Sequence, residues 1–293
     1  MKIFMRIAAI AATTILLALS SLYAASEWRL ARHYDVPLAS LHIAPSTALV
    51  AEGERRAHMF GCTGCHHEAG NVLFKAPGVG RLVAPNLTRM APLYSDAELV
   101  RLIRHGVKRD GTSAIAMPAA AFSGLSDEDI ASIISWLRVR PRLVDAEPSA
   151  TRWGPLGWFA IVSERVPFSA DRAHDVAPPR ERPRATPAKQ GEYLVQSICS
   201  DCHKLNEEND NGWGMHTPPL RMMGQAYSLT DFQTLMRTGK AMGNREVGEM
   251  SRVARGDLAH MTDGEIEAIH AYLNASEGSD RVAAAPPSAS NGR

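Results

Sequence analysis

An apolar stretch without a charge, from Ile7 to Ala25, opens the chain, with Lys2 and Arg6 before it and Glu27-Trp28-Arg29 after it. At about 1.5 Å per residue, a helix of this length approaches the roughly 30 Å of a hydrocarbon core. The basic lead and the small residues Ala24-Ala25-Ser26 suit an export signal as well. Residues 1–26 are therefore expected to be a signal anchor or a signal peptide, with Trp28 and Arg29 at the outer interface. Pro37 and Pro45 then mark an extended lead-in over about 33–49.

Beyond it, mixed apolar and polar positions predict short helices over Ala51 to Cys62, Ser95 to His105 and Ser126 to Val139, with a loop after the first. Ser126 with Asp129, and Thr262 with Glu265, fit the N-cap and N3 positions of capping-box variants. Pro141 stops the third helix. The stretch from Gly154 to Val162 is apolar enough to pack on a domain or touch a membrane. Pro178 to Arg184 carries too much proline and charge to fold alone. A tail with Pro286-Pro287-Ser288 is expected to be disordered.

The polar landmarks repeat. Gly53-Glu54 precedes Cys62 as Gly191-Glu192 precedes Cys199, and Arg104-His105-Gly106 is echoed by Arg237-Thr238-Gly239. Met117 and Met250 each lie eleven residues past the matched glycine, and each copy closes on a capped helix bearing Trp136 or Tyr272. The repeated element is a whole domain. The expected architecture is all-α: domains at 47–140 and 186–275, a Pro/Arg-rich connector at 141–185 and a tail at 276–293. Trp136 and Tyr272 are expected to pack against the opening helix near Gly53 and Gly191.

Composition changes this picture little. With 293 residues, 45% hydrophobic and 22% charged, the chain has room for two small domains plus connecting segments. A net charge of +1 with basic and acidic residues matched along its length gives no footprint for nucleic acid.

The chemistry sits in the cysteines. All four belong to Cys62-Thr63-Gly64-Cys65-His66 and Cys199-Ser200-Asp201-Cys202-His203. C-x-x-C-H is the spacing of c-type haem attachment: two thiols one turn apart form thioethers, and the next imidazole binds iron. Structural zinc would need further ligands near each motif, and no cysteine remains to supply them. His66 and His203 are thus candidate iron ligands, each needing an acceptor for Nδ1–H; Pro77, Pro85 and Pro218 could offer a carbonyl. Met117 and Met250 are candidate sixth ligands, set by position from among twelve methionines. His67 reads as a surface or propionate contact. Arg104 and Arg237 are either propionate partners or helix-end residues.

These motifs, with Ala84-Pro85-Asn86-Leu87-Thr88, Asp110-Gly111, Met117-Pro118, Leu125 to Ile130, Pro218-Pro219-Leu220 and Met250 through Tyr272, resemble those of bacterial dihaem cytochromes c built from two class I domains. The chain is similar to cytochrome c subunits of membrane-associated alcohol, aldehyde, gluconate and nicotinate dehydrogenases. The resemblance implies two covalently attached haem c groups and single-electron transfer from a dehydrogenase to a terminal oxidase or another cytochrome. It also implies a place on the periplasmic side of the bacterial inner membrane, anchored or secreted. A dihaem peroxidase-like enzyme with a releasable methionine, and a haem-based sensor or accessory subunit, are the alternatives.

Overall fold

A computed structural model of the chain describes every residue except 40, 42, 147–149, 174–185, 211–215 and 276–293. Pro178 to Arg184 and the tail lie outside the described residues. The chain divides into two compact units, Met1–Glu181 and Arg182–Arg293.

In the first unit, helix α1 (Lys2–Leu30) is followed by α2 (Thr47–Met59), which starts where Ser46 accepts a hydrogen bond from the Leu49 amide. Cys62–His66 forms the short helix α3. The opening helix thus starts and stops earlier than the sequence reading, because Gly61, at φ 73°, breaks it before Cys62. The expected loop holds a hairpin instead, β1 (Asn71–Ala76) and β2 (Gly80–Ala84), with its register shifted between Val72 and Phe74. The all-α expectation is corrected here: the molecule is mostly helical but carries small sheets. Strand pairing depends on partners distant in sequence, which a local pattern does not display.

Then come α4 (Leu87–Met90), α5 (Asp96–His105), α6 (Ala119–Phe122) and α7 (Asp127–Val139). α5 opens with a complete Ser95/Glu98 capping box and ends on Gly106 at φ 65°. Ser126 caps α7 by accepting from the Asp129 amide at 3.0 Å. α2 and α7 form the core pair. Ile130, Ile134 and Leu137 are buried along α7, against Ala57 and Met59 of α2; burying each large side chain is worth about 1.5–3 kcal/mol. Inside this contact the Arg56 guanidinium meets the fully buried Asp129 carboxylate at 3.2 Å.

The first part of the connector belongs to this unit. β3 (Arg152–Trp153) extends the hairpin by pairing antiparallel with β2. α8 (Pro155–Val162) packs on the end of α1, and α9 (Ser169–Arg172) follows. One face of α8 packs on the domain, where Gly157 and Ile161 are buried.

The second unit repeats the helix pair. α10 (Pro187–Leu194), capped by Thr186 with Pro187 in its first turn, widens into a π-turn at Val195–Cys199. After the two-residue strands β4 (Asn209–Asp210) and β5 (His216–Thr217) come α11 (Leu220–Ala226) and α12 (Leu229–Thr238). The hairpin β6 (Lys240–Ala241) and β7 (Arg245–Glu246) leads to α13 (Glu249–Gly256). α14 (Asp263–Asn274) closes the unit, carrying a full Thr262/Glu265 capping box. Its buried Ile266, Ile269 and Leu273 face a core shared with Tyr193 and Leu194 of α10.

Both crossings rest on glycine. A Cβ at Gly53 would stand 1.9 Å from the Ser132 carbonyl oxygen and 3.0 Å from Trp136 Cβ; one at Gly191 would stand 2.0 Å from the Ala268 oxygen and 2.7 Å from Tyr272 Cβ. The paired aromatics therefore lie where the sequence puts them, as core packing.

Candidate haem sites

Each C-x-x-C-H stretch stands at the end of its unit's opening helix. In the first unit α3 brings Cys62, Cys65 and His66 onto one short turn. His66 Nδ1 lies 2.7 Å from the Pro85 carbonyl oxygen. A carbonyl only accepts, so Nδ1 carries the proton and Nε2 keeps its lone pair. In the second unit His203 Nδ1 lies 2.9 Å from the Pro218 carbonyl oxygen, with the same consequence. Of the three prolines in question, the geometry selects Pro85 and Pro218. Burial lowers the His66 pKa, while the Pro85 hydrogen bond works in the opposite sense. A neutral imidazole with a free Nε2 is the form that binds iron.

The thiols are all free of disulfides. Burial pushes the Cys199 thiol up to about 12, with the neighbouring Cys202 adding to the effect. Burial also raises Cys202, and Asp201 and Glu249 reinforce it. Among the described residues, no three His, Cys, Asp or Glu side chains converge to hold a metal ion. A cavity of ≈ 620 Å³ opens against His203, between Ser200 and Glu207. The donor set fits haem c: two thiols one turn apart and an imidazole already fixed in its iron-binding tautomer.

The two loops that matter in the first unit are braced by the connector. Beside Pro85, Asn86 Nδ2 donates to the Leu143 carbonyl and to Asp145 Oδ1, both at 3.1 Å, and the Leu143 backbone N–H donates to Thr88 Oγ1 at 2.9 Å. The Val83 amide donates to Thr151 Oγ1 at 3.0 Å. Around Met117, the Ala116 amide donates to the Pro167 carbonyl at 2.9 Å, and Ser169 N–H donates to the Ala114 carbonyl at 3.0 Å. Ala116 adopts φ 61°, a conformation unusual for alanine that this bracing holds. Met117 itself is partly buried. Sequence reasoning missed Asn86, Thr88, Leu143 and Pro167 as supports, because their partners lie tens of residues away.

In the second unit the supports are local. Thr217 Oγ1 and Asn209 Nδ2 both donate to the Cys202 carbonyl, at 2.5 and 3.0 Å. Met250 is partly buried and stands in the first turn of α13, two residues after Gly248 at φ 60°. The segment coils with Ser251 and Ala254 buried on the same helix.

The remaining polar candidates make contacts within each unit or face solvent. Arg104 donates to the Leu125 carbonyl at 2.7 Å and pairs with Asp127 at 2.6 Å. Arg237 donates to the Ala259 carbonyl at 2.6 Å and pairs with Asp263 at 2.6 Å. Both guanidinium groups tie the middle helix to the start of the closing helix. His67 is exposed at φ 45°.

Asp257 ends the helix that carries Met250. Its side chain is buried, and Oδ1 has no hydrogen-bond partner. Burial raises its pKa to about 6, with Arg252 opposing and Glu249 adding to the rise. A carboxyl raised in the folded state stabilises fully below its unfolded pKa, about 3.9, and that contribution is lost as pH climbs through about 6. Asp257→Asn is therefore expected to stabilise the second unit at pH 8 by about 1–2 kcal/mol, after allowance for solvent screening. Thermal melts of the two proteins from pH 4 to 8 check this; the gap between them should widen from about pH 4 and level off above about pH 6.

Two helical units, each presenting two thiols and a histidine pinned through Nδ1 to a proline carbonyl, define the cytochrome c class. The chain belongs to the family described as cytochrome c oxidase, cbb3-type, subunit III, whose pattern matches residues 48–137 and 186–273. It is 25% identical over 261 residues to the fructose dehydrogenase cytochrome subunit of Gluconobacter japonicus, covering 76% of this chain and 52% of that protein. It is 25% identical over 271 residues to the alcohol dehydrogenase (quinone) cytochrome c subunit of Komagataeibacter europaeus, covering 78% and 56%. With the gluconate 2-dehydrogenase cytochrome c subunit of Pantoea cypripedii it shares 26% over 269 residues, covering 77% and 59%. The chain thus spans just over half the length of the curated relatives it matches.

Proposed function

We propose that this chain is a dihaem electron carrier that takes single electrons from a dehydrogenase and passes them to a terminal oxidase or another cytochrome. Cys62 and Cys65 hold one haem c, and Cys199 and Cys202 the other. His66 and Met117 are the axial ligands in the first domain, His203 and Met250 in the second. The observation that carries this reading is the duplicated C-x-x-C-H turn whose histidine is fixed with Nε2 free in both units.

Haem iron supplies one-electron oxidation and reduction at a potential tuned by its axial ligands. The chain's own residues do the rest. Pro85 and Pro218 hold each imidazole in one tautomer and orientation. The core pairs α2 with α7 and α10 with α14 keep each unit rigid and apolar, so little has to move when charge changes. The dehydrogenase partner is supported by the named roles of the relatives.

For the N-terminal segment the anchor reading is adopted, on the periplasmic side of the inner membrane. α1 is long and apolar enough to cross a bilayer. It runs unbroken through Ala24-Ala25-Ser26, where a signal peptidase would need exposed chain, and Ser26 is buried. Arg29 pairs with Asp171 at 2.6 Å and stacks over Phe168 at 4.9 Å.

The pyridine haemochrome assay tests the haem assignment. Two haems per chain are expected, with loss of half the signal in Cys62→Ser/Cys65→Ser and of the other half in Cys199→Ser/Cys202→Ser. A full signal from either double variant would refute the attachment sites.

A further inference from the structure

We infer that α8 is a second membrane contact: a helix beside the end of α1 whose exposed face meets the interface of the bilayer that α1 crosses, seating the first domain on the lipid surface. This rests on the anchor reading of α1 and adds to it.

The residues of α8, Pro155-Leu156-Gly157-Trp158-Phe159-Ala160-Ile161-Val162, include no polar side chain. A helix apolar all round has no side suited to water. One face is satisfied: Gly157 and Ile161 are buried, and Ile161 packs with Val166 and Phe168. The opposite face is not. Leu156, Phe159 and Val162, spaced one turn apart, are 59%, 50% and 43% exposed. Clustered large apolar side chains on an otherwise charged protein mark a contact surface.

What covers that face follows from its neighbour. Every side chain of α1 from Met1 to Ser21 is exposed, the condition of a helix that meets lipid rather than protein. The first packed ring contact between α1 and the domain is Tyr23 against Trp158 of α8, centroids 5.1 Å apart. From Arg6, the last charge before the run, to Tyr23 the helix rises about 26 Å, close to the hydrocarbon thickness. α8 therefore begins at the level where lipid tails give way to headgroups, the depth at which Tyr and Trp concentrate. Arg165, whose guanidinium lies 5.6 Å from the Phe159 ring, and exposed Trp28 stand at the same end of α1. Interfacial helices bury their apolar face roughly 5–10 Å into this boundary. In α8 the polar face of an ordinary interfacial helix is replaced by packing on the domain. The occupant is thus the phospholipid bilayer, continuous with the lipid around α1.

The test uses the whole haem-loaded chain in nanodiscs of phosphatidylethanolamine and phosphatidylglycerol doped with a phospholipid carrying a diazirine near the headgroup end of its acyl chain. After irradiation, trypsin releases peptide 7–29 from α1, peptide 153–165 with all of α8, and peptide 110–138 with the buried helix α7. Lipid adducts are expected on 7–29 and on 153–165, severalfold above those on 110–138. Adducts on 7–29 with none above background on 153–165 would overturn the proposal and leave the anchor standing, α8 then being free for a protein partner. Adducts on neither would remove the anchor and this proposal together.

Discussion

Met117→Ala is expected to lower one of the two midpoint potentials by on the order of 100 mV, within the ≈ 0.8 V range over which axial ligands act. It should leave the other potential unchanged. A thioether favours ferrous iron, and its loss gives the position to water or another weaker partner, so the oxidised state gains. The sulfur-to-iron absorption at the red end of the oxidised spectrum should fall by half. Met250→Ala should do the same to the other haem, and the double variant should lose the band entirely. The first variant will fold, because the Met117 loop is held by backbone hydrogen bonds from Ala116 to Pro167 and from Ser169 to Ala114 rather than by the side chain. Redox titration with matched spectra is the measurement. A band that survives intact in either single variant removes that methionine from the ligand set.

Gly53→Ala and Gly191→Ala should each cripple one domain and spare the other. The added carbon would meet a main-chain oxygen at 1.9 Å in the first case and 2.0 Å in the second, and main chain cannot swing aside as a side chain does. The helices must separate, which strips the contact holding the core together. A loss of about 3–5 kcal/mol is expected, a large share of the 5–15 kcal/mol that stabilises an ordinary domain. Gly264 gives the contrast. It lies in the first turn of α14, and a Cβ there would meet nothing within 4 Å, so Gly264→Ala should be neutral or gain up to about 1 kcal/mol. Thermal unfolding followed by haem absorbance reads both effects; equal melting of Gly53→Ala and the parent protein would contradict the crossing geometry.

What could be read from the chain alone was whatever depended on near neighbours. Ser126 and Thr262 announce helix starts through their own hydroxyls, and Gly53 and Gly191 gain meaning from the duplication, since two copies share one requirement. Local chemistry also limits a C-x-x-C-H turn to few uses. The strands at 71–84 stayed hidden because β2 completes its pairing with residues 152–153, and nothing in Asn71 to Ala84 encodes that partner. The helical setting of Met250 was missed for a related reason: its turn is fixed by burial of Ser251 and Ala254, not by a capping side chain. The prolines were legible as a set of three, and only three-dimensional proximity singled out Pro85 for His66.

The brace formed by residues 143–146 and 150–169 touches the hairpin behind Pro85 at one end and the Met117 segment at the other. A fragment cut at Arg140 would therefore keep every proposed ligand of its haem and yet lose the outer clasp on both. Recombinant work on this half of the molecule should carry the polypeptide through at least Ala173. In grafting experiments the clasp, not the haem-binding motif, would be the piece whose omission turns a tuned redox centre into a loose one.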